Sequence, residues 1–216
     1  MDNSVLYYRE FYSQEGEDAV LARVFEGKKN RFYIDVGAHH PRRFSNTYFF
    51  YKKGWHGINI DAMPDSMQIF EEDRPLDINL EIPVSDRDEV LTYYIFNEPA
   101  LNGFSKELSD SRNGLRQYKI INTKELRTRT LASILDEFMP AEQQIDFLSI
   151  DVEGLDFQVL NSNNWDKYRP EVVLVEALGG ADVADILVCE TNLFMETKGY
   201  SLFAKTFNTL FFKKRV

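Results

Sequence analysis

The stretch Tyr33-Ile34-Asp35-Val36-Gly37 is the first with residues that could do chemistry, because an acidic residue lies within an apolar strand that ends at a glycine. In open α/β sheets, ligands bind beyond the carboxyl ends of the parallel strands, and glycine lets a ligand approach the backbone there. The later glycines of a dinucleotide fingerprint are absent, and His39-His40-Pro41 stands in their place. The turn therefore predicts a cofactor without phosphates. An ordinary strand-end turn capped by Asp35 is the alternative.

Two further apolar runs end in acidic residues. Asp61 ends the second run, and Ser85 and Asp86 end the third. A carboxylate about 20 or more residues beyond the glycine turn can accept hydrogen bonds from both hydroxyls of a ribose. We expect Ser85 and Asp86 to bind the amino edge of an adenine. The alternatives are a helix cap for Asp61 before Pro64 and a plain polar turn for the other two.

The segment Asp151-Val152-Glu153-Gly154 follows another apolar strand and brings two carboxylates to its end. Asp151 could orient a cationic group of the cofactor or act as a general base, and Glu153 is a second candidate base. His39 is the third candidate catalytic residue, because the ordinary pKa of imidazole suits proton transfer near neutral pH. A divalent cation held by Asp151, Glu153 and Glu176 is possible, although the sequence contains no metal-binding motif. The alternatives are acids that favour a helix start and histidines that brace a turn.

Short apolar runs alternate with amphipathic ones along the chain, which is typical of parallel strands connected by helices. The segment 97–114 is polar and is predicted as a loop. The pattern predicts an α/β fold with a mostly parallel twisted sheet, helices on both faces and a C-terminal antiparallel hairpin. Helices are expected at 45–53, 64–72, 130–138, 155–160 and 181–198, and strands at 32–37, 57–61, 77–84, 90–96, 145–150, 171–176, 200–203 and 209–212.

Length, charge and hydropathy narrow the class of protein. The 216 residues suit one domain, and no apolar run has the length of a membrane span. A net charge of −10 repels phosphate backbones, so nucleic acid is a poor candidate partner. The first residues lack the features of a signal peptide, and the single cysteine cannot form an internal disulfide. We therefore expect a cytoplasmic protein; its oligomeric state is not predicted.

Together these motifs resemble the FkbM-type family of S-adenosylmethionine-dependent methyltransferases. The resemblance is carried by S-Q-E-G-E-D at 13–18, D-V-G-A-H-H-P-R-R-F-S-N-T from Asp35, G-W-H-G-I-N-I-D ending at Asp61, and F-L-S-I-D-V-E-G from Phe147. It implies a Rossmann-like methyltransferase fold and O-methylation of a sugar, a polysaccharide component or a related small metabolite. Many relatives have Asn-x-Gly where this chain has His39-His40-Pro41, and proline stiffens that turn.

The resemblance also implies roles for individual residues. Asp35, Gly37 and Ala38 would form the donor-binding turn. Asp61 and Ala62 would bind the ribose of the donor, and Ser85 and Asp86 would bind its adenine. Asn46 and Thr47, at a helix start, would receive the donor's carboxylate. Gln14 and Asp18 would close over the donor as part of an N-terminal helical segment, residues 1–30. Within a single domain of residues 1–216, we expect residues 97–126 to form an acceptor-side loop and extra strand, with Leu101, Phe104 and Tyr118 as candidates for the pocket wall.

Two other functions are weighed against a methyltransferase. A catalytically idle relative that serves as a binding or interaction module would have lost the ribose acid or the Asp-x-Glu-Gly acids, and this chain has both. A nicotinamide oxidoreductase would need the glycine-rich fingerprint that is missing.

Overall fold

Apolar residues fill both faces of the central strands. In the first strand, β1 (Phe32–Val36), Phe32, Ile34 and Val36 pack into one layer of the core, and Tyr33 packs into the other. Strands buried on both faces are typical of a parallel sheet that is covered by helices on each side. The computed structural model, which describes residues 9–29, 31–180 and 182–215, has this architecture.

In the described part of the chain, nine strands form two sheets. After β1 they are β2 (His56–Asp61), β3 (Ile78–Glu81), β4 (Val90–Phe96), β5 (Ile120–Arg127), β6 (Phe147–Ile150), β7 (Val172–Glu176), β8 (Tyr200–Lys205) and β9 (Thr209–Lys214). The main sheet has the order β3-β2-β1-β6-β7-β9-β8, and only its last two pairings are antiparallel. The predicted parallel sheet with a C-terminal hairpin is confirmed. β4 and β5 form a separate antiparallel pair.

Helices cover both faces of the main sheet. They are α1 (Glu17–Val24), α2 (Tyr48–Tyr51), α3 (Met67–Asp73), α4 (Lys106–Arg112), α5 (Leu131–Phe138), α6 (Asp156–Asn161), α7 (Val183–Leu187) and α8 (Glu190–Thr197), with a 3-10 helix at Pro99–Leu101. Leu21 and Phe50 pack on one face of the sheet, and Ile134, Leu160 and Met195 pack on the other. None of the described helices has the length and apolar character needed to cross a bilayer.

Three of the predicted elements are wrong in detail. The predicted loop 97–114 contains α4, because the Ser105 hydroxyl accepts a hydrogen bond from the Leu108 N–H and caps a helix there. The predicted third strand, 77–84, ends at Glu81, two residues before Pro83, which has no N–H to donate. The predicted long helix 181–198 is two helices, since Cys189 caps the second; Ala181 lies outside the described residues, as do residues 1–8 and residue 30 of the predicted N-terminal segment.

Candidate active site

The register of the main sheet brings four strand ends level with one another. Val36 lies beside Ile60 and Ile150 in neighbouring strands, and Ile150 lies beside Val175. Because the strands are parallel, the next residue of each strand emerges at the same edge. The residues that follow this row are Gly37, Asp61, Asp151 and Glu176.

A cavity of about 340 Å³ opens at this edge, within the range of roughly 300–1,000 Å³ that small-molecule sites occupy. The structure brings most of the predicted site residues into its wall. Those residues are Gln14, Asp35, Gly37, Ala38, His39, Asn46, Asp61, Ala62, Asp151 and Glu153.

Gly37 has the backbone conformation and the surroundings that only glycine tolerates. Its φ is +82°, and a Cβ at this position would lie 1.6 Å from the carbonyl oxygen of Asp151. The N–H of Asp151 in turn donates to the carbonyl of Val36 at 2.9 Å. The turn after β1 therefore packs directly on the turn after β6, and both form the floor of the cavity.

The Asp61 carboxylate accepts hydrogen bonds from the turn after β1 and from the turn after β2. One oxygen accepts a hydrogen bond from the His39 N–H at 2.8 Å, and the other accepts from the Met63 N–H at 2.7 Å. Each carboxylate oxygen can accept a second hydrogen bond. The alternative of a helix cap does not hold for Asp61, because α3 begins at Met67 with Ser66 at its N-cap. Asp61 caps two turns instead and can still present two acceptors to a diol in the cavity.

Three carboxylates converge on the side of the cavity next to β7. Asp151, Glu153 and Glu176 each place an oxygen within 4.8 Å of the others, and Arg112 of α4 donates to Glu153 at 2.6 Å. Asp151 and Glu153 do not hold the start of α6. That role belongs to Asp156, which accepts hydrogen bonds from the N–H groups of Val152 and Gly154. The alternative of helix-start acids therefore applies to Asp156.

The closeness of these carboxyls governs their charge. Burial and the neighbouring acids raise the pKa of Glu176 to about 11, and one of its oxygens is buried with no hydrogen-bond partner among the residues that the structure describes. Asp151 is exposed in the cavity wall, and desolvation by the surrounding protein, with the charge of Glu153, raises its pKa well above the usual range. Burial also raises the pKa of Glu153, although Arg112 opposes this shift. Glu176 therefore keeps its proton at neutral pH, and a cation bound nearby would favour its charged form.

Replacing Glu176 with glutamine is expected to stabilise the ligand-free protein, and more strongly as the pH rises. The carboxyl has a pKa of 4.5 in the unfolded chain and about 11 in the folded one, so folding between these values requires proton uptake. This cost is absent below pH 4.5 and grows by at most about 1.4 kcal/mol per pH unit above it. Thermal unfolding at pH 5, 7 and 8.5 measures the gain, with the exposed Glu71→Gln as the control. A gain that does not change with pH would contradict the account.

The two histidines of the first turn have different environments. His40 braces the turn, since its Nδ1 accepts hydrogen bonds from the N–H groups of Arg42 and Arg43. His39 lines the cavity with a positive φ of 53°, and its buried Nε2 has no partner among the described residues. Burial, with the nearby charge of Arg43, lowers the pKa of His39 to about 4. A neutral imidazole with that pKa is a weak base, so the geometry favours the carboxylates as proton acceptors.

Four predicted site residues lie outside the cavity wall: Asp18, Thr47, Ser85 and Asp86. Asp18 is buried and accepts hydrogen bonds from Tyr12 and Ser13, so it fixes the turn that presents Gln14. Asp86 pairs with Arg87. Because β3 ends early, Ile82 and Val84 take the place in the wall that Ser85 and Asp86 were predicted to have.

Asn46 and Thr47, which are predicted to receive the donor's carboxylate, lie just before α2. The N–H groups of Thr47 and Tyr48 already donate to the Ser45 hydroxyl. Asn46 lines the cavity, but its side-chain amide donates to Ser149 at 3.0 Å. Thr47 is buried below the wall, where its hydroxyl donates to Asp35 at 2.9 Å.

Sequence reasoning missed two parts of the wall. Glu15 lines the cavity and accepts hydrogen bonds from the backbone and side chain of Asn208, which joins the N-terminal segment to the β8–β9 turn. Arg112 also lines the cavity, and the sequence does not predict this because its segment has the composition of a loop. The three candidates for the pocket wall within residues 97–126, which are Leu101, Phe104 and Tyr118, do line the cavity.

Comparisons with known proteins concern the family and the fold of the chain. Residues 35–202 match the family described as "Methyltransferase FkbM domain". The solved structure of methyltransferase FkbM from Methylobacillus flagellatus KT is 11% identical with a TM-score of 0.54, and the match covers 94% of this chain and 48% of that one. A TehB-like SAM-dependent methyltransferase from Corynebacterium glutamicum ATCC 13032 Kitasato is 12% identical with a TM-score of 0.43, covering 96% of this chain and 90% of that one.

This chain therefore spans about half the length of the Methylobacillus protein, and at this identity the likeness concerns the fold. The comparison with curated proteins finds no significant match.

Proposed function

The chain belongs to the FkbM methyltransferase domain family, and from this premise we propose that it transfers a methyl group from S-adenosylmethionine to a hydroxyl oxygen of a small or glycan acceptor. One observation carries the proposal. Asp35, Asp61, Asp151 and Glu176, from four neighbouring strands, all line one cavity that has no phosphate-binding loop beside it. An acidic cavity suits this donor, because its sulfonium and ammonium groups are cationic and it carries no phosphate.

The two ends of the cavity suit different parts of the reaction. The Asp61 oxygens next to Gly37 and Ala38 suit a ribose, and Asp35 suits the amino-acid part of the donor. The carboxylates near β7 face the segment 98–104, Arg112 and Tyr118, which we assign to the acceptor. A methyl group would then lie between the two ends, in line with the attacking oxygen.

The reaction requires alignment and the removal of one proton. The acceptor oxygen forms a bond to the methyl carbon as the carbon–sulfur bond breaks, which leaves S-adenosylhomocysteine and a methyl ether. The hydroxyl proton passes to a carboxylate, for which we propose Asp151 or Glu153. A positioned base contributes roughly 10²–10⁴-fold to such a step.

The carboxylates near β7 are also the residues that would hold a divalent cation, which would polarise the acceptor hydroxyl. Arg112 already donates to one oxygen of Glu153 and supplies positive charge there. A cation bound by all three carboxylates would have to share Glu153 with this guanidinium.

Changing Glu153 to glutamine is expected to lower methyl transfer at least tenfold and to change the affinity for S-adenosylmethionine by less than threefold. The substitution keeps the size of the side chain but removes its charge and its capacity to accept a proton. Isothermal titration with the donor and a methyl-transfer assay separate the two effects. Turnover at the wild-type rate would refute the role of Glu153.

The proposed function is tested by titrating the protein with S-adenosylmethionine and then incubating it with isotope-labelled donor and pools of sugars and hydroxylated metabolites. We expect saturable binding and a labelled methyl ether that mass spectrometry identifies. Binding without transfer to any acceptor would favour the catalytically idle alternative. Absence of donor binding would refute the proposal.

A further inference from the structure

Arg74 lies fully buried at the C-terminal end of α3, beneath the turn that follows β1. Its guanidinium donates to the Asp77 carboxylate at 3.0 Å, to the Tyr33 hydroxyl at 2.7 Å and to Thr47 Oγ1 at 2.9 Å. It also donates to the carbonyl of Pro41 at 3.4 Å. A buried charge is costly unless it is paired and hydrogen-bonded, so this network explains why the fold keeps an arginine there.

The network fixes the direction of one hydroxyl group. A guanidinium has only donors, so Thr47 Oγ1 must accept from Arg74. Thr47 donates its single hydrogen to the Asp35 carboxylate, 2.9 Å away, and Ser45 Oγ, which lies 3.2 Å from Thr47 Oγ1, has a hydrogen of its own to donate. Asp35 lines the cavity, whereas Thr47 and Arg74 do not. Arg74 therefore reaches the Asp35 carboxylate through Thr47, and it also donates to Ser45 of the cavity wall at 3.5 Å.

The charge of Asp35 depends on these neighbours. Burial raises the pKa of Asp35 to about 6, and the Arg74 charge and the Thr47 hydrogen bond oppose that shift. Asp61 and Asp77 raise it further, and Asp151 faces Asp35 from the next strand. Without the threonine hydroxyl, the carboxylate would lose a donor inside a wall that is otherwise acidic.

We propose that Arg74 is a positioning residue for the methyl donor, acting through the Thr47 hydroxyl to hold the Asp35 carboxylate oriented and ionised in the cavity wall. The inference rests on the proposed function, since it takes the occupant of the cavity to be S-adenosylmethionine. It gives Thr47 a different role from direct contact with the donor.

Thr47 is the position to change, because Arg74→Gln would leave the buried Asp77 carboxylate without its positively charged partner and endanger the fold. Thr47→Val keeps the shape of the side chain and removes the hydroxyl. Titration calorimetry with S-adenosylmethionine is expected to give a Kd about tenfold weaker than wild type at pH 6.5 and less than threefold weaker at pH 9, where Asp35 ionises without help.

Two further variants separate positioning from packing. Thr47→Ser restores the hydroxyl and should bind the donor within twofold of wild type. Thr128→Val removes another buried threonine hydroxyl, which bonds to the carbonyls of Arg87 and Glu89 outside the cavity, and should also bind within twofold. Donor binding by Thr47→Val that equals wild type, or that is weakened equally at both pH values, would overturn the inference while the proposed function stands. A wild-type protein that does not bind the donor would overturn both.

Discussion

Asp151→Asn is expected to lower methyl transfer by at least about 10²-fold, the lower end of what a positioned base contributes. Asp151 follows β6 at the middle of the row of strand ends, between the turn after β1 and Glu176 on β7. Its carboxylate has a raised pKa, so it is a stronger base than an ordinary aspartate when a cationic donor has displaced its proton. Asparagine has nearly the same shape but cannot accept the proton.

The control for this variant is Asp166→Asn, which removes one negative charge from an exposed position outside the cavity. Initial rates with labelled donor, measured for both variants at saturating donor concentration, report the effect on the chemical step. The donor Kd of Asp151→Asn is also expected to rise, because Asp151 lies where the sulfonium would be. If Asp151→Asn retains more than a tenth of the wild-type rate, the carboxylate is not the base and does not stabilise the donor's charge.

Gly37→Ala is expected to abolish donor binding. It is also expected to lower the free energy of unfolding more than a glycine-to-alanine change elsewhere in the two turns that form the cavity floor. A Cβ at residue 37 would lie 1.6 Å from the carbonyl oxygen of Asp151, so the ends of β1 and β6 would have to separate. The positive φ alone costs on the order of 1 kcal/mol for a residue with a side chain. The steric displacement adds to that cost and moves both turns that form the floor.

Gly114→Ala is a matched control, because Gly114 has a similar φ of +85° and its added Cβ would meet no atom within 4 Å. Thermal unfolding is expected to show a small loss for Gly114→Ala and a several-fold larger one for Gly37→Ala. Titration with S-adenosylmethionine is expected to give wild-type affinity for the first variant and none for the second. Equal losses in the two variants would mean that contact between the turns is unimportant.

The sequence predicts the arrangement of the main sheet because that arrangement depends on local signals. Apolar runs such as Val172–Glu176 are too short and too rich in β-branched residues for buried helices, and their alternation with helices requires parallel crossovers. The alignment of Asp61 and Asp151 follows from parallel register alone. These features needed no knowledge of distant contacts.

The misjudged parts depend on contacts between residues that are distant in sequence. Asn208 donates a hydrogen bond to Glu15, and Arg112 donates one to Glu153. No local sequence pattern predicts either contact. The role of Thr47 depends on Arg74, a residue whose type alone predicts an exposed side chain. The helix α4 did have a local signal, since Ser105 precedes it as a cap, but the surrounding polar residues obscured it.

The most direct test of the central claim is a crystal structure of the protein with S-adenosylhomocysteine. The account predicts a nucleoside in the cavity at the strand ends, with its ribose hydroxyls on the Asp61 carboxylate and its sulfur on the cavity side of the turns that follow β1 and β6. A nucleoside bound elsewhere on the molecule, or a cavity that stays empty at saturating ligand, would contradict it.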